Sequence, residues 1–148
     1  MAQKTDFVSL AEMPGDTLAH VLDTAKRLKK QYKETGHNDP VARGKVLGCI
    51  FEKPSLRTRV TFDVAMQEMG GHAVFLDFTE AALGEREDIL DVARNLELWM
   101  DASVARTVGH ESIELLAKAS AVPVINWLSD HSHPCQAMSD MLTLREHF

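Results

Sequence analysis

The sequence predicts an α/β fold of three layers, in which helices cover both faces of a central parallel sheet. Short apolar runs, typical of buried parallel strands, alternate along the chain with segments whose apolar residues recur at helical spacing. The chain has 148 residues, which is the size of one compact domain. Because ligands of such sheets bind beyond the carboxyl ends of the strands, we expect the functional residues at that edge.

The first half of the chain predicts two helices and two strands. A first helix begins near Asp16, which is placed as its N-cap, and lysines suit its C-terminal end. A polar loop then leads to a buried strand, Val46–Phe51. A helix is predicted over 57–69, ended by a pair of glycines, and a second strand over 73–76.

The second half continues the alternation. Apolar residues from 89 to 100 recur at helical spacing and precede a third strand over 102–106. A helix over 111–119 is followed by a fourth strand over 122–126, and a last helix over 134–148 has Pro134 in its first turn. Because this helix reaches the last residue with no loop after it, we expect that the chain was cut at a domain boundary.

The composition excludes several classes of protein. A net charge of −6 argues against a general nucleic-acid or acidic-membrane surface, so any anion site has to be local. Cys49 and Cys135 do not make a secreted disulfide scaffold, and a reducing cytoplasm fits best. Residues 1–6 have no apolar core of signal-peptide length, and no apolar run approaches the ~20 residues needed to cross a bilayer.

The segment 53–59 is the first candidate site, because it joins the first strand to a helix. It places the hydroxyls of Ser55 and Thr58, the guanidinium of Arg57 and free backbone N–H groups at a helix N-terminus, which favours a bound phosphate. The alternative is a capped helix whose basic first turn only faces solvent. We favour the anion site because positive charge at a helix N-terminus is unfavourable unless an anion offsets it.

Polar groups also follow two other strands. Arg106 ends the third strand, and His133 and Gln136 follow the fourth. An arginine can bridge a phosphate and a carbonyl oxygen, a histidine can donate to that carbonyl, and an amide can bond a small NH2 group. Together they could orient and polarise an acyl phosphate for attack by an amine. Taken singly, Arg106 is more often a surface ion-pair partner, and His133 a helix-start or packing residue.

Three histidine and cysteine side chains invite a metal interpretation. His131, His133 and Cys135 alternate beside a proline, which is not a common zinc spacing, and a second ligand pair is missing. We therefore expect no metal site here.

The candidate segments resemble, in order and spacing, the aspartate/ornithine carbamoyltransferase family. They are Phe-Glu-Lys-Pro-Ser-Leu-Arg-Thr-Arg at 51–59, Arg-Thr at 106–107 and His-Pro-Cys-Gln at 133–136. The resemblance implies a carbamoyl-phosphate-binding domain over residues 1–148 that works without a cofactor, with Arg57, Arg106 and His133 as catalytic residues. The residues that it assigns to the phosphate are Ser55, Leu56 through its backbone, Arg57 and Thr58. Those that it assigns to the carbamoyl group are Arg106, His133 and Gln136.

Within the family, Phe-Glu-Lys-Pro and His-Pro-Cys-Gln look like the ornithine enzymes, which make L-citrulline and phosphate in arginine biosynthesis or degradation. The segment 126–130 lacks the Gly-Asp-Gly of aspartate enzymes, and the resemblance places Leu128 where ornithine enzymes direct a backbone carbonyl to the amino acid. Transfer to another amine, such as aspartate, putrescine, agmatine or an acylated ornithine, is an alternative. A non-catalytic homologue or fragment is another.

The resemblance also implies a homotrimer, or a multiple of it, and a separate amino-acid-binding domain that this chain lacks. The region 80–86 of one subunit would reach its neighbour's phosphate. Two positions depart from the family pattern. Leu56 replaces the usual threonine of the phosphate motif, and Ala82 stands at the usual polar position of the neighbouring loop, with Arg86 as a candidate to compensate. The isolated chain is therefore expected to form no citrulline.

Overall fold

A computed structural model describes residues 4–148; the start of the chain, residues 1–3, lies outside the described residues. Helices and strands alternate after a short 3-10 turn, Leu10–Glu12. The helices are α1 (Gly15–Thr35), α2 (Leu56–Glu68), α3 (Ile89–Leu96), α4 (His110–Ala119) and α5 (Pro134–His147). The strands are β1 (Val46–Phe51), β2 (His72–Asp77), β3 (Ala102–Arg106) and β4 (Val124–Leu128). Across the described residues, no helix has the length and apolar character needed to cross a membrane.

The strands form one parallel sheet in the order β2-β1-β3-β4. The chain leaves β1 for β2 on one side and then crosses to β3 on the other side, so the strand order reverses between β1 and β3. Connections that leave such a point run to opposite faces of the sheet and open a crevice between them, where α/β proteins bind ligands. The predicted fold class is confirmed, and the reversal indicates which strand ends to inspect.

Apolar side chains fill the space on both faces of the sheet. Successive residues of a strand point to opposite faces, and Cys49 and Ile50 of β1 are both fully buried. One layer joins the sheet to α3 and α4 and includes Ile50, Val92, Leu96, Ala105, Ile113, Leu116 and Val124. The other joins it to α2 and includes Leu47, Cys49, Phe62, Met66, Val104, Ile125 and Trp127. Helix α5 packs beside β4, and α1 packs against α5.

The predicted N-cap of the first helix is wrong. Helix α1 begins at Gly15 with Pro14 as the N-cap residue, and Asp16 lies inside the first turn. An acidic side chain there still interacts favourably with the positive end of the helix dipole, although it does not cap the helix. Gly36 ends α1 in the left-handed conformation, with φ +76°, and its N–H donates to the Tyr32 carbonyl.

Two other predicted boundaries are wrong, each for a reason visible only in the folded chain. The fourth strand lies two residues later than 122–126, because Pro123 has no N–H to give and the far end of the strand pairs with Arg106. Helix α3 ends at Leu96 rather than near Met100. Residues 97–99 form tight turns, in which the Trp99 N–H donates to the Leu96 carbonyl, while Met100 remains buried.

Candidate active site

The carboxyl ends of three neighbouring strands lie level with one another. Phe51 at the end of β1 pairs with Arg106 at the end of β3, and Arg106 pairs with Leu128 at the end of β4. Since neighbouring strands lie about 4.8 Å apart, the row spans roughly 10 Å, which suits a small ligand. Helix α2 follows the first of these ends and α5 the last, so the three predicted segments border one crevice.

The N-terminus of α2 forms the first wall of the crevice. Ser55 is the N-cap residue, in an extended conformation, and its side chain makes no hydrogen bond to the backbone of the first turn. Its hydroxyl donates instead to the Thr58 hydroxyl at 2.7 Å, and Thr58 is buried. No acidic residue occupies this first turn, and Arg57 is exposed. The turn thus combines positive charge with N–H groups that the Ser55 side chain leaves open to an anion.

Leu56 and Arg59 lie on the outer side of this turn. Leu56 is 79% exposed, as a residue would be whose side chain takes no part in the predicted site. The Arg59 guanidinium lies over the Phe75 ring, 4.9 Å from its centroid, on the β2 side of the helix. Both residues line a pocket of about 480 Å³ together with Lys53, Phe75 and Asp77. Hydrogen bonds from Thr79 lower the pKa of the Asp77 carboxyl, and the charge of Arg59 adds to this effect.

Arg106 stands between the two helix ends. Its side chain is half-buried, and its Nε is buried without a hydrogen-bond partner among the described residues. Within residues 4–148 it forms no ion pair, so the structure gives no support to a surface ion-pair role. A buried N–H left unpaired costs about 1–3 kcal/mol. The guanidinium is therefore the group in the crevice with most to gain from a ligand.

His133 begins α5 on the far side of the crevice. It is the N-cap residue, and its Nδ1 accepts a hydrogen bond from the Gln136 backbone N–H at 3.3 Å. With Nδ1 used as an acceptor, the proton of the neutral ring resides on Nε2. Burial lowers the pKa of His133, the positive charge of Arg106 lowers it further, and Asp140 opposes the shift. His133 is thus a helix-start residue that also holds a neutral N–H donor at pH 7.

Gln136 and Leu128 have partners of their own. Gln136 is exposed, and its side-chain amide donates to Asp140 at 2.9 Å. The Leu128 carbonyl accepts from the Thr107 N–H at 3.1 Å. An amide NH2 has a second hydrogen and a carbonyl oxygen a second lone pair, so both groups can bind a ligand as well.

Glu52, which the sequence analysis assigned no role, organises the loops around the site. It directly follows β1 and is only 8% exposed. Its carboxylate accepts from the Leu83 N–H at 2.8 Å and from the Val108 N–H at 2.5 Å. The side chain therefore ties the loop after β2 and the loop after β3 to the end of β1. In the sequence, the indication of this role is a single acidic residue directly after a wholly apolar strand.

Trp127 is the second residue that sequence analysis missed. Its ring lies 5.1 Å from Phe62 of α2 and 5.0 Å from His133, both distances between ring centroids, with steep interplanar angles of 76° and 65°. Such edge-to-face contacts are favourable for aromatic rings. Trp127 thereby connects the middle of α2 to the start of α5.

The loop between β2 and α3 carries the two residues predicted to act toward a neighbouring subunit. Ala82 is half-buried and Arg86 is exposed, and both line a second pocket that includes Trp99. The buried Leu83 side chain and the Glu52 carboxylate anchor the loop between them.

Histidines and cysteines form no metal centre in the described part of the chain. There, no three His, Cys, Asp or Glu side chains are grouped so that they could hold an ion. Burial raises the pKa of Cys135 to about 11 and that of Cys49 to about 12, so both thiols are protonated at neutral pH. Both thiols are therefore poor nucleophiles, and Cys49 belongs to the buried core.

The fold and the crevice define an α/β domain with a candidate small-anion site at a reversal of strand order. Residues 5–146 match the family model described as the aspartate/ornithine carbamoyltransferase, carbamoyl-P binding domain. The chain belongs to this family, as its carbamoyl-phosphate-binding domain.

Similar proteins are named as ornithine enzymes. The chain is 49% identical over 142 residues to an ornithine carbamoyltransferase of Shewanella oneidensis, covering 96% of this chain and 46% of that protein. It is 50% identical over 131 residues to the Thermus thermophilus enzyme, covering 88% and 42%. The solved ornithine carbamoyltransferase of Pyrococcus furiosus superposes with a TM-score of 0.90 at 43% identity, over 98% of this chain and 46% of that one. The chain thus spans about half the length of the relatives it matches.

Proposed function

We propose that this chain is the carbamoyl-phosphate-binding half of an ornithine carbamoyltransferase, which forms L-citrulline and phosphate from carbamoyl phosphate and L-ornithine. Such an enzyme would serve arginine metabolism in the cytoplasm. The observation that carries the proposal is the Arg106 Nε, which is buried without a hydrogen-bond partner among residues 4–148. Arg106 ends β3, between the strands that lead to α2 and to His133. The names of the similar proteins support the choice of ornithine.

In the proposed site, the α2 end holds the phosphate group. The first-turn N–H groups, including that of Leu56, the Ser55 and Thr58 hydroxyls and the Arg57 guanidinium would share its negative charge. Arg106 would bridge a phosphate oxygen and the carbonyl oxygen. The His133 Nε2–H would donate to that carbonyl oxygen, and Gln136 would bond the carbamoyl NH2.

The reaction then needs little from the protein beyond position and charge. The amine nitrogen attacks the carbonyl carbon, negative charge develops on the carbonyl oxygen, and donors from Arg106 and His133 stabilise it. The bond to the phosphate oxygen breaks, phosphate departs with the electron pair, and the amine loses a proton. No cofactor or metal enters these steps. The groups that grip the amino acid, apart from the Leu128 carbonyl, would come from a second domain.

Assembly into a homotrimer, or a multiple of it, is part of the proposal. Leu56, Val60 and Val64 follow one another at i, i+4 and i+8 on one face of α2 and are 79%, 51% and 45% exposed. An apolar stripe of this kind favours contact with another protein surface, here a second copy of the chain. The loop with Ala82 and Arg86 would lie near the Arg57 of that copy. Sedimentation that shows only monomers at high protein concentration would count against this assembly.

Calorimetric titration with phosphate tests the binding half of the proposal. Arg57→Ala should weaken phosphate binding by at least about tenfold, since a charged hydrogen-bond partner is lost. Arg59→Ala is the matched control: it removes an equal charge from the same helix, but its guanidinium lies over Phe75. Equal losses in both variants would indicate a diffuse basic surface, and no loss in either would overturn the anion site.

A further inference from the structure

We propose that Trp127 is a positioning residue for His133, holding the imidazole so that its Nε2–H is directed into the crevice. The inference rests on the proposed function, because it concerns the group assigned there to the carbamoyl carbonyl. It assigns to an aromatic side chain a role that is exerted through His133.

The contacts of the His133 ring support this role. One ring atom is already fixed, since Nδ1 accepts from the Gln136 N–H at 3.3 Å. Because this bond is long, it restrains the ring only weakly, and a second contact would help to set the ring plane. Trp127 provides the contact, with ring centroids 5.0 Å apart and an interplanar angle of 65°.

Trp127 is itself held from the other side. Its indole meets Phe62 of α2 edge to face at 5.1 Å, and both belong to the apolar layer beneath α2. A chain of packed rings therefore runs from the helix that binds the phosphate to the histidine that addresses the carbonyl. The distance between these two groups is thus fixed by packing as well as by the sheet.

The surroundings of His133 supply a direct readout. Burial is the largest cause of its lowered pKa, with Arg106 at the end of β3 adding to the shift and Asp140 of α5 opposing it. Trp127 packs against the ring, whereas the charges of Arg106 and Asp140 are kept in every variant at position 127. Removing the indole should therefore expose the ring and raise the pKa of His133 toward its ordinary value.

The test compares Trp127→Ala and Trp127→Phe with Ile125→Ala. Ile125 lies two residues earlier on the same face of β4, in the same apolar layer, so its truncation reports a merely structural loss. NMR titration without ligand should show a raised His133 pKa in Trp127→Ala. In Trp127→Phe and Ile125→Ala, the His133 pKa should stay close to its value in the chain without substitutions. If the alanine variant does not fold, Trp127→Leu replaces it, since it keeps apolar volume and removes the ring.

Ligand binding gives the second readout. The probes are inorganic phosphate and phosphonoacetamide, in which a methylene replaces the bridging oxygen of carbamoyl phosphate. Trp127→Ala should bind phosphonoacetamide about tenfold more weakly and phosphate within about twofold of the unchanged chain, because only the former reaches His133. Identical His133 titrations and identical affinities in Trp127→Ala and Ile125→Ala would overturn the role of Trp127. If the chain without substitutions bound neither probe, the proposed function would be overturned. The titration without ligand would still decide the role of Trp127.

Discussion

Some residues at this site have structural roles that cannot be inferred from their neighbours in sequence. Glu52 is the clearest case, because one buried carboxylate satisfies N–H groups from two separate loops. The loop after β3 borders the proposed ligand crevice, and the loop after β2 carries the region 80–86. The position of these loops therefore depends on the charge and geometry of one side chain.

Replacing Glu52 with glutamine should destabilise the fold by about 1–3 kcal/mol, since the new NH2 group faces a backbone N–H and leaves a buried donor unpaired. Glu85→Gln is the control, because Glu85 is exposed in the same region and makes the same change of charge. Denaturant unfolding of the two variants measures the difference. A loss no larger for Glu52→Gln than for Glu85→Gln would show that the carboxylate bonds contribute little.

Arg106 should influence His133 even in the absence of ligand. Its positive charge is the second cause of the lowered His133 pKa, after burial. Arg106→Gln should therefore raise the pKa of His133 without restoring its ordinary value, because the burial remains. Arg94→Gln removes an equal charge from the exposed face of α3 and should leave the titration as it is. NMR titration of the His133 ring measures both.

The lowered pKa of His133 also makes the stability of the fold depend on pH. With the pKa of His133 lowered on folding, the unfolded chain binds more protons in the window just below the ordinary histidine pKa. Stability consequently falls as pH decreases through that window and rises as pH increases. Because Arg106→Gln should bring the His133 pKa closer to its ordinary value, it should narrow the pH range over which stability changes. An unchanged His133 titration in that variant would mean that the two side chains are not electrostatically coupled.

At the scale of the elements, sequence periodicity predicted what local patterns control. β1 and β3 coincide with their predicted ranges, since each is a short apolar run buried on both faces. The end of α3 and the start of β4 depend on contacts between segments distant in sequence, and both were predicted wrongly. The β4 strand extends to Leu128 because Thr107 donates to its carbonyl, and no local pattern carries that information.

In the candidate site, too, local patterns were informative, whereas contacts between segments distant in sequence were not predicted. The residues after strand ends could be selected from the order of strands and helices, because parallel strands bring their carboxyl ends to one edge. Glu52 and Trp127 could not, because their partners are close only in space. Sequence analysis therefore selected polar groups that lie at the strand ends and missed the side chains that hold these groups in place.

Two glycines that follow helices allow the conformational and steric costs of a side chain to be separated. Gly36 and Gly70 have φ of +76° and +79°, a conformation that costs an alanine about 1–2 kcal/mol. A Cβ at Gly36 would meet open space, whereas one at Gly70 would lie 2.9 Å from Pro40 Cβ. Gly70→Ala should therefore lose more stability in thermal unfolding than Gly36→Ala, and equal losses would contradict the close packing.

For the whole molecule, the proposed function has this chain supply one side of an active site. It spans about half the length of its relatives, with 46% of the Shewanella protein and 42% of the Thermus protein matched. We expect the purified chain to form no citrulline from carbamoyl phosphate and ornithine, because the proposed site lacks the groups that grip the amino acid. A colorimetric citrulline assay with a full-length relative as positive control measures this. Turnover by the chain alone would show that it holds both substrates.

NMR perturbation mapping with phosphonoacetamide tests most directly whether the ends of β1, β3 and β4 form a single ligand site. We predict that the resonances of the Leu56–Thr58 amides, the Arg106 Nε–H and the His133 ring shift together and yield one dissociation constant. The opposite result would be shifts confined to the α2 amides, or different dissociation constants for α2 and for His133. Either outcome would mean that the helix end binds anions by itself and that the three strand ends do not act as one site.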